Sequence, residues 1–129
     1  MIAVDTNVLV LLLTGDEAKQ AAAARSFFAS DPIWIAKTAL LETGWVLRSL
    51  YGFEESAIRD AFTKLLGLKN VHAEDESSVA AALALTAHGI ELADAMHLSS
   101  RPPEAVFVSF DKAFVRRAKR AKISGISSV

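Results

Sequence analysis

Apolar residues fall along this chain in two rhythms. Short bursts at residues 2–4, 33–36 and 105–108 are rich in isoleucine, valine and aromatics, the make-up of brief buried strands. Elsewhere apolar positions recur every three or four residues, the spacing of amphipathic helices. That spacing predicts helices over 8–13, 18–29, 38–51, 54–66, 75–87, 91–100 and 112–118. Gly15, Pro32, Gly52, Gly67, Gly89 and the pair Pro102-Pro103 stand at the boundaries. Thr6, Asn7 and Thr38 are suited to cap helix starts, because their side-chain oxygens can accept from the free amides of a first turn. Fainter apolar segments at 68–72 and 123–129 are expected to add strands. Strands alternating with helices imply an α/β fold with a mostly parallel sheet covered on both faces.

With 129 residues, the chain is expected to fold as a single domain. A hydrophobic share of 52% against 22% charged residues is enough for a core and excludes a disordered chain. The longest apolar run, 8–13, is far short of the roughly 18–20 residues of a membrane span. The amino terminus lacks the basic start of a signal peptide, so a cytoplasmic protein with no membrane association is expected. Cysteine is absent, which excludes disulfides and thiolate-bound metals. The net charge of −1 conceals a split: residues 111–129 hold six Lys/Arg against one acid, +5, leaving −6 for the rest. Acid in the body and base at the end suit a cation-binding centre beside a surface for a polyanion, although a solvated basic helix face gives the same pattern.

Four acids are oddly placed for surface charges. Asp5 follows the strand-like residues 2–4, and Asp111 comes three residues after the strand-like 106–108. Glu42 has Ala39, Trp45 and Val46 three and four residues away, so its own helix face reads as apolar. Asp94 lies between Ala93 and Ala95, with Ile90 and Leu98 four residues to either side. A buried, ionised carboxylate costs several kcal/mol unless compensated, and neither Glu42 nor Asp94 has a Lys or Arg three or four residues away. If the four converge, a cation is the economical compensation. An all-oxygen set favours Mg²⁺ or Mn²⁺ over Zn²⁺. Taken singly, each acid has an ordinary structural explanation, such as capping a helix. The tryptophans Trp34 and Trp45 read as core, and His97 as a packed helix histidine or a contact to substrate or metal-bound water.

In the order Val4-Asp5-Thr6-Asn7, Glu42, Leu92-Ala93-Asp94-Ala95-Met96-His97 and Ser109-Phe110-Asp111-Lys112-Ala113-Phe114, the chain resembles PIN-domain ribonucleases of the VapC toxin type over nearly its whole length. The resemblance implies a three-layer α/β/α fold with a central, mostly parallel sheet of four or five short strands. It implies that Asp5, Glu42, Asp94 and Asp111 are the catalytic, metal-binding acids of a Mg²⁺- or Mn²⁺-dependent endoribonuclease. Thr6, Asn7, Ser109 and His97 become candidate supporting residues, and Lys112, Arg116, Arg117, Arg120 and Lys122 candidate contacts to RNA phosphates. An RNA substrate, a homodimer and a cognate VapB-type antitoxin are also implied. Two other readings stand beside this one. In the first, the chain is a Mg²⁺-dependent phosphotransfer domain with Asp5 as nucleophile, although no second acid stands next to Asp5. In the second, it is a non-catalytic RNA- or protein-binding module whose acids are structural.

Overall fold

Ile33 and Ile35, both fully buried, set the middle of the first sheet. They belong to β2 (Ile33–Ile35), which pairs in parallel with β1 (Ile2–Ala3) on one side and β3 (Val71–Ala73) on the other. The register sets Ile2 opposite Ile33, and Val71 and Ala73 opposite Ile33 and Ile35. The computed structural model describes all residues, Met1–Val129, in two compact units, residues 1–76 and 77–129.

Four helices complete the first unit: α1 (Thr6–Thr14), α2 (Ala18–Ser30), α3 (Lys37–Ser49) and α4 (Glu55–Leu66). Each turns one apolar stripe inward, as Ile58, Phe62 and Leu65 do from α4 and Ala21, Ala24 and Phe28 from α2. Burial of a side chain such as Phe62 contributes about 1.5–3 kcal/mol. Two helix starts differ from expectation. Thr6 and Asn7 are the first residues of α1 rather than its cap; Asp5 caps it, accepting from the Val8 N–H at 3.2 Å. Thr38 does not cap α3. The helix begins at Lys37, whose N–H donates to Glu74 Oε1 at 3.0 Å, a cap supplied from 37 residues away. The strand expected at 68–72 lies at 71–73 instead, because Leu68 to Asn70 turn the chain and the Asn70 amide donates to Phe28 O and Asp31 O. The two tryptophans are not core. Trp34 points opposite to Ile33 and Ile35 and is 36% exposed, and Trp45 is 59% exposed.

The second unit holds α5 (Glu76–Thr86) from its second residue on, with α6 (Leu92–Ser100), β4 (Phe107–Ser109), α7 (Lys112–Arg120) and β5 (Ile126–Ser128). β4 and β5 run parallel, Phe107 opposite Ile126 and Ser109 opposite Ser128. α7 covers this pair through Phe114, Val115 and Ala118, and the Phe114 ring meets Phe107 edge-on with centroids 5.7 Å apart. The Arg101 guanidinium donates to Ala105 O and to Ser124 O, tying together the entries to both strands. Gly125, at φ +70°, lies under that guanidinium; a Cβ there would stand 3.0 Å from Arg101 Nη1. The fold is α/β, as expected, and every strand pairing is parallel. Hydrogen bonds gather the five strands into a group of three and a group of two.

Candidate metal centre

In the first unit, β1 delivers the chain to Asp5 at a strand-to-helix junction. The Asp5 cap uses Oδ1. A carboxylate has two oxygens and about four lone-pair sites, so the cap leaves capacity for another ligand. The next residue, Thr6, donates its hydroxyl to Glu42 Oε1. One residue thus joins the Asp5 loop to the middle of α3 and fixes the direction of the Glu42 carboxylate. Asn7 is exposed and on the first turn of α1.

Glu42 itself is exposed rather than set in an apolar face. The stripe that α3 buries is Leu40, Thr43, Gly44 and Leu47, a run at i, i+3, i+4 and i+7. Glu42 and Trp45 lie off that stripe. Of the apolar neighbours seen in the sequence, Trp45 is exposed and Ala39 and Val46 are half-buried, and it is the Thr6 hydroxyl that holds the carboxylate.

In the second unit, Asp94 and Asp111 stand at or near the starts of two helices. Asp111 caps α7 by accepting from Phe114 N–H at 3.0 Å, and its own N–H donates to Ser109 Oγ at 3.0 Å. Ser109 therefore shapes the Asp111 turn. Asp94 lies half-buried in the first turn of α6. Burial holds its carboxyl above the ordinary carboxylate range, and the negative charges of Glu91 and Asp111 add to this; the His97 imidazole works the other way. His97 is exposed, not packed. Glu91 is a neighbour that the sequence reading passed over, although its position three residues before Asp94 places the two on adjoining turns.

Each unit thus presents two of the four acids, and no three His, Asp or Glu side chains are grouped for a metal. The donor chemistry fits a hard divalent cation. Mg²⁺ is commonly held by one or two carboxylates, with waters and substrate phosphates filling its remaining positions. A carboxyl already disfavoured as an anion by burial and by two acidic neighbours gains from a cation beside it. Lys112, Arg116, Arg117, Arg120 and Lys122 are all exposed, on α7 and just beyond it.

The PIN domain family model matches residues 2–120. The chain belongs to the PIN domain family. The match takes in Asp5, Glu42, Asp94 and Asp111, and it runs through both units. PIN domains are nuclease-type domains, generally dependent on divalent metals and acting on RNA or other nucleic acid. No curated protein and no solved structure matches this PIN domain. No helix in it is long and apolar enough to cross a membrane.

Proposed function

We propose that this chain is a Mg²⁺- or Mn²⁺-dependent endoribonuclease, with Asp5, Glu42, Asp94 and Asp111 as its metal-binding acids. The observation that carries the reading is the Thr6 hydroxyl bond to Glu42. It orders an exposed acid beside Asp5, at positions the family match includes. A divalent ion held by these carboxylates would polarise a phosphoryl oxygen and lower the pKa of a water. The chain's own residues prepare the ground for it. Asp5 and Asp111 each keep one oxygen on a helix amide, which holds the carboxylate direction, while Thr6 and Ser109 fix the adjoining backbone and side chains. The exposed cations of α7 attract phosphates and position the strand without reading its bases.

The proposal treats residues 1–129 as one PIN domain working in the cytoplasm, as the toxin of a VapBC-type pair that forms a homodimer and is silenced by a VapB-type antitoxin. The family match through both units supports the first part. Cleavage of single-stranded RNA by the purified chain tests the activity. It is expected with Mn²⁺, abolished by chelator, and reduced more than about a hundredfold by Asp5→Asn or Glu42→Gln. Folded Asp5→Asn protein that cuts at the wild-type rate would sink the assignment. Growth arrest on expression, relieved by the product of an adjacent small reading frame, tests the toxin role. Light scattering that shows a monomer would remove the dimer.

A further inference from the structure

Phe110 is the most exposed aromatic side chain of the molecule, at 82%, and it stands directly before Asp111. Behind it, Lys112, Arg116 and Arg120 are spaced four residues apart and all exposed, so they form one cationic stripe along α7. The next most exposed aromatic is Trp45, one turn after Glu42. The two rings left most open to water are therefore each within three residues of a candidate metal-binding acid. A bare ring at the head of a cationic stripe matches one kind of occupant in both shape and charge: a strand with planar apolar faces and a phosphate on every unit. We propose that Phe110 is a base-stacking residue, which holds the nucleobase of an unpaired nucleotide while the α7 stripe engages the adjoining phosphates. The inference rests on the nuclease reading and deepens it, because it names the group that would seat a nucleotide next to Asp111. Val106 and Val108 share the exposed side of this segment. As aliphatic side chains they offer no stacking face, and by themselves they would suit a protein partner.

The test uses a 12-nucleotide single-stranded RNA carrying one 2-aminopurine, titrated with the intact protein in chelator and low salt, with Mn²⁺-dependent cleavage followed in parallel. Stacking predicts quenched 2-aminopurine fluorescence on binding to the wild-type protein. It further predicts a roughly five- to hundredfold weaker Kd for Phe110→Ala, with affinity and quenching restored by Phe110→Trp. An abasic nucleotide at the stacked position should weaken wild-type binding by the same factor and cost Phe110→Ala nothing more. If Phe110→Ala binds like wild type while cleavage persists, the stacking role is overturned and the nuclease reading survives. If the wild-type chain neither binds nor cuts the RNA, both fall together. If Phe110→Ala leaves RNA affinity intact but lowers the mass seen by light scattering, the ring belongs to a contact between copies of the chain and the proposal is overturned.

Discussion

Thr6 shows how much a single hydroxyl decides in this molecule. Its bond to Glu42 spans 36 residues of sequence and sets the direction of an otherwise solvated carboxylate. Partners that orient a metal ligand are commonly worth about 10- to 100-fold in affinity or activity. Thr6→Val, which keeps the shape and deletes the donor, is therefore expected to lower metal-dependent cleavage by that factor with little change in melting temperature, and Thr6→Ser to restore it. Asp94 carries the opposite lesson, because its surroundings disfavour the charge it would use. With its pKa raised in the folded chain, the stability it contributes is present below the ordinary carboxylate value of about 3.9 and is lost as pH rises through the raised value. Asp94→Asn should thus melt above wild type at pH 7 in chelator, and the difference should close as the pH falls below about 4. Thermal melts at the two pH values check it. At this scale the sequence showed which acids stand apart, since Asp5 and Asp111 each follow a strand-like run. It could not show that Glu42 lies outside the buried stripe of α3, because one turn of helix offers two candidate faces and tertiary packing chooses between them.

Among the elements, α7 separates an apolar face from a cationic one. Phe114, Val115 and Ala118 hold it to β4 and β5, while Lys112, Arg116 and Arg120 look outward. Each phosphate contact to a single strand adds about 0.7 to the slope of log affinity against log salt. Arg116→Ala is expected to flatten that slope by about 0.7 for every RNA sequence alike, whereas a change of sequence preference without a change of slope would contradict a phosphate role. Filter binding across a salt series measures both. This helix was legible almost residue by residue, because its apolar spacing and charge agree. Less legible were elements whose limits are set from a distance. α3 starts where Glu74 reaches the Lys37 amide, not at Thr38, and β3 starts after the Asn70 amide has tied the chain back to α2. Local propensity has no access to a partner 37 or 42 residues away, so it put both boundaries one to three residues off.

For the whole molecule, the PIN match runs across residues 2–120 and so through both units; that acids from both answer to the same chemistry is the part of the proposed function that no single unit can carry. Asp5 and Glu42 belong to the first unit, Asp94 and Asp111 to the second. Divalent-ion linkage tests this without any knowledge of the RNA target. A ligand that binds only the folded state, at a hundred times its Kd, adds about 2.7 kcal/mol, which in a domain of this size raises the melting temperature by roughly 10 °C. Mn²⁺ is expected to give a rise of that order in the wild-type chain, and chelator to remove it. Asp5→Asn and Asp94→Asn should each lose most of the rise, although Asp94→Asn starts from a higher metal-free melting point, so the shift and not the absolute temperature is compared. Loss on Asp5→Asn with full retention on Asp94→Asn would assign the ion to the first unit alone and remove Asp94 from the proposed centre. Loss on both, with neither substitution lowering the metal-free melting point, would mean that the acids act on a shared ion rather than through the stability of the fold.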